Sequence, residues 1–259
     1  MRGTPLYPIL FKIGPFTIYT YGVFISGGFL VAIGLFLRAT KKEDFPEAKI
    51  LKLSFWIVIL SIIGARIFYV LTYPHWYLKH PQAILNIWQG GLVFYGGLVF
   101  ALVTSLYFLH HYHLPFWRIA NIAASPLALG MSIGRVGCFF NGCCYGKGWE
   151  RGLVFPALSP AGKAFPGQPL IPTQLISSLN LLVIFFILIH LKRYPRFAHQ
   201  IFLWFLILYS GHRFAIGFLR ADCREALFHL TIPQFMSIIL GISAIILMAR
   251  RRRERKLVN

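Results

Sequence analysis

The chain has 259 residues, 57% of them hydrophobic and 13% charged, with a mean hydropathy of +0.66. A soluble domain is about 45–50% apolar and about 25% charged, so the composition argues against a soluble globular enzyme. The 26 Lys and Arg against 7 Asp and Glu give a net charge of +19. In so apolar a chain, this excess reads as a topology signal and an attraction to anionic lipid rather than as a nucleic-acid surface.

A membrane-spanning helix needs about 20 mostly apolar residues. Along the chain, seven stretches qualify, at roughly 16–37, 50–71, 91–110, 118–136, 174–191, 200–219 and 230–249. The first is too long and too rich in Gly for a signal-peptide core, and no small-residue cleavage site follows it, so it reads as retained. The pattern predicts an all-α membrane protein, a polytopic bundle of seven transmembrane helices forming a single integral membrane domain over 1–259. The loops 38–52, 111–118 and 192–199 and the tail 250–259 carry fifteen of the 26 basic residues. By the positive-inside rule these are cytoplasmic, which puts the N-terminus out and the C-terminus in. The segment 137–173, rich in Gly and Pro, is then a small irregular outer head. The basic tail is a stop at the cytoplasmic surface.

The seven acids are Glu43, Asp44, Glu47, Glu150, Asp222, Glu225 and Glu254, and none lies in the middle of an apolar run. Paired-carboxylate chemistry inside the membrane is therefore excluded. Three arginines, Arg66, Arg135 and Arg213, do fall within spans. An ionisable group inside a membrane is costly and is a functional candidate by default. The topology places all three towards the outer leaflet. The plain alternative is snorkelling, a long side chain reaching for the interface. Three cations with no intramembrane acid instead favour an anionic ligand, and the guanidinium fork suits phosphate. A phospholipid headgroup fits both depth and charge.

Gly90, Gly91, Gly96 and Gly97 bracket Tyr95, while Gly130, Gly134, Gly137, Gly142 and Gly146 flank Arg135. Small residues allow close helix packing and also let backbone amides approach a ligand. Tyr21, Tyr95 and Tyr209 sit at outer or near-outer depth, where tyrosine commonly anchors. Cys138, Cys143, Cys144 and Cys223 all fall on the outer, oxidising side, so disulfides are expected. Adjacent Cys143 and Cys144 bond each other badly. One of them should pair with Cys138 and the other with Cys223. A metal site is the weaker reading, because no histidine sits at ligand spacing nearby. No metal or cofactor is expected.

The run Gly134-Arg135-Val136-Gly137-Cys138-Phe139-Phe140-Asn141-Gly142-Cys143-Cys144-Tyr145-Gly146 resembles the signature of the prolipoprotein diacylglyceryl transferase family, G-R-x-G-N-F-x-N-x-E-x-x-G. The resemblance extends to Tyr21-Gly22, to Gly90-Gly91 through Gly96-Gly97, to Pro172-Thr173-Gln174-Leu175, to Tyr209 with Arg213, and to Arg220-Ala221-Asp222. It departs from that pattern at Cys138 for Asn, Cys143 for Glu, Tyr95 for His, Tyr19 for His and Gly217 for an acid. The resemblance implies transfer of a diacylglyceryl group from phosphatidylglycerol to the lipobox cysteine of a prelipoprotein signal peptide, in the bacterial cytoplasmic membrane, with glycerol phosphate released. The partners it implies are phosphatidylglycerol, the signal peptide and the bilayer, with no nucleic acid.

On that reading Arg135 and Arg213 clamp the phosphate and stabilise the leaving group. Asn141 and the amides of Gly142 and Gly146 orient the headgroup. Tyr21, Arg66, Gly96, Gly97 and Tyr209 complete the lipid site. A free thiol has a pKa of about 8.5 and needs a base. Tyr95 is the first candidate and His212 the second. A lipid-binding or flipping paralogue and a thiol redox protein built on Cys143 and Cys144 are the rival readings.

Overall fold

The structure is a computed structural model that describes residues 9–13, 16–86, 90–194, 197–222, 225–227 and 230–258. Among the described residues, seven helices are long and apolar enough to cross a membrane. In chain order they are α1 (Thr20–Lys41), α2 (Glu47–Thr72), α4 (Phe94–His111), α5 (Phe116–Asn141), α7 (Thr173–Lys192), α8 (Gln200–Leu219) and α9 (Ile232–Val258). A short helix α3 (Pro74–Lys79) follows α2, and another, α6 (Pro160–Ala164), lies in the head. Three small antiparallel pairs complete the fold: β1 (Ile9–Ile13) with β2 (Phe16–Tyr19), β3 (Gly148–Val154) with β4 (Pro169–Leu170), and β5 (Glu225–Leu227) with β6 (Leu230–Thr231).

Each expected span is present, with shifted ends. The first starts at Thr20 because residues 16–19 pair with the preceding strand. The fourth runs on to Asn141. Gly137 does not end it, because its open face receives α1: a Cβ there would lie 2.9 Å from Phe24 Cβ and 3.2 Å from the Tyr21 carbonyl oxygen. Five residues assigned to the head, 137–141, are therefore helix.

The chain divides into two compact units, Leu37–Ile119 and the remainder, Met1–Phe36 with Ala120–Asn259. The smaller unit is built on α2 against α4. Their contact runs through glycine: a Cβ on Gly96 would lie 2.5 Å from the Gly64 carbonyl oxygen, and one on Gly97 3.2 Å from that of Ser61. This is the small-residue helix packing that membranes favour, where lipid gives no hydrophobic drive between helices.

The larger unit joins α5, α7 and α8 through a core of Ala124, Ala128, Leu181, Ile184, Leu188, Ile201 and Phe205. Polar contacts also link these helices. Ser132 Oγ donates to the Ser178 carbonyl at 2.8 Å, and Ser178 Oγ returns to that of Ser132 at 2.9 Å. The first turn of α8 has no cap of its own at His199. Asn121 of α5 supplies one, its Oδ1 accepting from the amides of Ile201 and Phe202 at 2.9 and 3.1 Å. That satisfies two of the amide groups a helix start leaves open.

The head is more ordered than its composition suggests. Phe155, Ala161 and Leu170 form a buried cluster covered by Phe139, Tyr145, Leu153 and Phe165. Ser159 caps α6 by accepting from the Gly162 amide at 3.0 Å, with Pro160 at the first helical position. The Ala161 amide then donates to the Gly142 carbonyl at 3.0 Å, docking the head on the end of α5.

Candidate functional site

Two left-handed residues make the turn after α5: Gly142 (φ 68°) and Cys144 (φ 59°). Glycine takes this conformation freely, whereas a residue with a Cβ does so at a cost. The turn folds the chain back so that Cys143 and Cys144 return over Cys138, and the Cys143 amide donates to the Cys138 carbonyl at 3.2 Å. The three sulfurs lie within 4.8 Å of one another. All three cysteines are free and half-buried, which corrects the expected disulfides. The thiols bond as a cluster instead, with Cys143 Sγ directed at the Cys138 carbonyl at 3.7 Å. Cys223 lies outside the described residues.

Neighbouring elements pin this turn by its carbonyls. Thr173 Oγ1 donates to the Cys144 carbonyl at 2.6 Å, and Gln174 Nε2 to that of Cys143 at 2.7 Å. Both side chains open α7, from the Pro-Thr-Gln-Leu run. Gln174 is 1% exposed, and among the described residues its Oε1 has no hydrogen-bond partner. Asn141 hydrogen-bonds Cys143 from the last position of α5.

Arginine surrounds the cluster. Arg135 Nη1 donates to Cys144 Sγ at 3.7 Å. The Cys144 thiol is held below the ordinary thiol range, because Cys138 and Cys143 donate to it and because Arg220 and Arg135 stand close. Tyr21, 39% exposed at the start of α1, lies within electrostatic reach of all three cysteines and of Arg135. Arg135 and Arg213 both act electrostatically on His212, whose ring contacts Asn180 at 3.4 Å. Tyr209 sits one turn before Arg213, 6.5 Å from the His212 ring. Arg135, Arg213, His212, Tyr21, Tyr209, Asn141 and the thiol turn thus share the larger unit.

Arg220 was missed as a site residue. Its Nε and Nη2 clamp Asp222 at 2.8 and 2.7 Å, a bidentate pair that orients the guanidinium. The segment is knitted to the thiol turn by backbone: the Lys147 amide donates to Leu219 at 2.8 Å and the Ala221 amide to Tyr145 at 3.1 Å. The Arg-Ala-Asp spacing was visible in the sequence, but nothing local showed that it reached Cys144.

Other expected residues have different surroundings. The amides of Gly142 and Gly146 already donate to the carbonyls of Phe139 (3.0 Å) and Ile171 (3.1 Å), so neither is open to a headgroup. Their lack of a side chain serves packing: a Cβ would meet Ser159 Cβ or Ile171 Cβ at 2.7 Å. Tyr95, Gly96 and Gly97 open α4 in the smaller unit, Tyr95 43% exposed and Gly96 buried. Arg66, also in that unit, is buried at 8% exposure. All five of its N–H groups meet carbonyls: Nε to Ile84 (2.9 Å), Nη1 to Gly90 (2.8 Å) and Gly91 (3.0 Å), Nη2 to Ala83 (2.6 Å) and Asn86 (3.3 Å). Tyr69 and Tyr77 flank it at 5.6 and 5.5 Å. Gly217 is closed by Gln234, whose Cδ would lie 2.6 Å from a Cβ there.

The prolipoprotein diacylglyceryl transferase model matches residues 8–250. A Bacillus velezensis protein named phosphatidylglycerol–prolipoprotein diacylglyceryl transferase is 34% identical over 254 residues, covering 96% of this chain and 94% of its own length. Proteins of the same name from Geobacillus kaustophilus (36% over 252 residues, 96% and 93%) and Limosilactobacillus reuteri (34% over 255 residues, 96% and 92%) are similar to the same extent. The match runs from the first strand pair through the arginines, the thiol turn and α9, and on that span the chain belongs to the prolipoprotein diacylglyceryl transferase family.

Proposed function

We propose that this protein transfers the diacylglyceryl group of phosphatidylglycerol to the cysteine thiol of a prolipoprotein signal peptide, as a multi-pass enzyme of the bacterial cytoplasmic membrane with its site facing the outer leaflet. Family membership along nearly the whole chain supports the reaction. The observation that supports the site assignment is that Arg135 and Arg213 both lie within electrostatic reach of His212, with Arg135 Nη1 on Cys144 Sγ at 3.7 Å.

The reaction makes one bond and breaks one. The acceptor sulfur attacks the methylene carbon that bears the phosphate ester. The C–O bond breaks, its electron pair leaves with glycerol phosphate, and a thioether remains. Negative charge gathers on the departing phosphate. Two guanidinium groups placed at that phosphate stabilise its charge more in the transition state than in the ground state. Asn141, Tyr21 and Tyr209 line the headgroup's place, and His212 is the side chain offered to receive the thiol proton. Arg66, Gly96 and Gly97 serve the lipid indirectly, by holding α2, α4 and the carbonyls of residues 83, 84, 86, 90 and 91.

The test is transfer of labelled lipid from phosphatidylglycerol to a lipobox peptide in proteoliposomes. A labelled thioether peptide is expected. Lipid binding with no thioether product would reassign the chain to lipid handling without chemistry.

A further inference from the structure

The three-cysteine cluster is not used by the reaction as written above. Cys138, Cys143 and Cys144 present sulfurs within 4.8 Å of one another. A zinc ion bound by thiolates at about 2.3 Å in tetrahedral geometry holds its sulfurs about 3.8 Å apart. The cluster must therefore contract by no more than about 1 Å per pair. The frame for this is already built. Cys138 rides the last turns of α5, Cys143 and Cys144 sit on a turn fixed by two left-handed residues, and Thr173 and Gln174 hold the carbonyls of Cys144 and Cys143. Such outer contacts orient metal ligands and set affinity.

We infer that Cys138, Cys143 and Cys144 form a zinc site of three thiolates with the fourth position open, and that the acceptor cysteine thiol of the peptide binds there. Soft thiolate donors at tetrahedral spacing select zinc among divalent ions. Three protein ligands and one exchangeable position are the pattern of catalytic rather than structural zinc. Charge supports it as well. Three thiolates and Zn²⁺ carry a net charge of −1, and Arg135 Nη1 already contacts Cys144 Sγ, with Arg220 close by.

The chemistry fills a gap left by the sequence. No carboxylate lies in the middle of an apolar run to take a proton from the acceptor thiol. Coordination acidifies a bound thiol as it does bound water. The peptide thiol binds zinc and releases its proton to water or to a neighbouring side chain. The zinc-bound sulfur attacks the methylene carbon and the C–O bond breaks. Glycerol phosphate takes the electron pair, and the product thioether, a weaker ligand than a thiolate, leaves the ion. No oxidant or reductant is involved. The ion's part in transfer rests on the transferase reading; its binding does not.

The test uses the full-length protein in detergent, titrated with Co²⁺ and Zn²⁺. One metal ion per chain is expected, with thiolate-to-cobalt charge-transfer absorption that zinc displaces. Cys138→Ser, Cys143→Ser and Cys144→Ser should each weaken binding at least tenfold while the helical circular dichroism is unchanged, and Cys144→Asp, which keeps a ligand, should recover part of it. Cys223→Ser should leave binding unaltered; loss there would mean a closed four-cysteine site and would overturn the open position. Adding a lipobox peptide should shift the cobalt bands, and a Cys→Ser peptide should not. Substoichiometric metal, binding indifferent to the serine variants, binding of monovalent copper alone, or a disulfide among the three cysteines would each overturn the site. Full transfer by chelator-stripped protein would overturn the role while leaving the transferase reading intact. Metal binding with no transfer under any condition would do the reverse.

Discussion

The side chain of Gln234 on α9 occupies the space that any side chain at Gly217 on α8 would need. A Cβ on Gly217 would lie 2.6 Å from both Cγ and Cδ of Gln234. Gln234 cannot swing aside cheaply. Its Oε1 accepts from the amide and hydroxyl of Thr231, each at 2.9 Å, and its Nε2 donates to the Phe214 carbonyl at 3.3 Å. Restoring an acid at Gly217 is therefore a packing problem before it is a chemical one. Gly217→Glu should cost about 2 kcal/mol or more, by overpacking and by stranding buried polar groups. Gly217→Glu with Gln234→Ala should cost less than the two single changes added, a coupling of about 1 kcal/mol. Thermal melts in detergent would measure the cycle, and strict additivity would contradict the shared space.

Arg135→Ala and Arg213→Ala should each lower transfer by about 10²–10³-fold, as losing a preorganised donor to a developing anion does. Arg→Lys at either position should retain part of the rate, since charge survives but the fork does not. The helical signal should not change. Wild-type rates in both alanine variants, read as labelled lipid on the peptide, would end the clamp assignment.

Arg66 should behave differently. With five carbonyl partners and, among the described residues, no ion pair, its loss strands buried acceptors, so Arg66→Ala and Arg66→Lys should both destabilise by roughly 3 kcal/mol. Folded material recovered at low temperature should show a KM for lipid within about twofold of wild type. A normal melting temperature with a greatly raised KM would place Arg66 in the lipid site after all.

The Ser132–Ser178 exchange between α5 and α7 should matter little to stability. Interhelical hydrogen bonds in membranes average about 0.6 kcal/mol, because the separated helices also find partners. Ser132→Ala with Ser178→Ala should therefore shift the melt by a few degrees at most. A collapse of the fold would mean these bonds set the register of the larger unit more strongly than the Ala124–Leu181–Phe205 core does.

Most of the architecture was legible from residues alone, because a bilayer demands long apolar runs and the chain supplies seven. Helix ends were less so. Gly137 reads locally as a breaker, yet it lies within α5 because α1 fills its open face, a tertiary fact. The cysteines show the same limit. Spacing and compartment pointed to disulfides, while the left-handed turn at Gly142 and Cys144 gathers three free thiols. Arg135 and Arg213 were readable as uncompensated charge in apolar sequence. Arg66 looked identical by that test, and its carbonyl shell, assembled from residues 17 to 25 positions away, shows that the protein's own backbone holds it. Arg220 escaped notice because its link to Cys144 passes through a backbone bridge between Gly146 and Arg220.

That bridge has a mechanical consequence. Arg213 belongs to α8, and the end of α8 is stitched by main-chain hydrogen bonds to the strip that follows Cys144. A displacement of α8 must carry with it the strip that follows Cys144, so in the proposed reaction a headgroup between Arg213 and the thiols would be gripped from two sides that are joined by backbone.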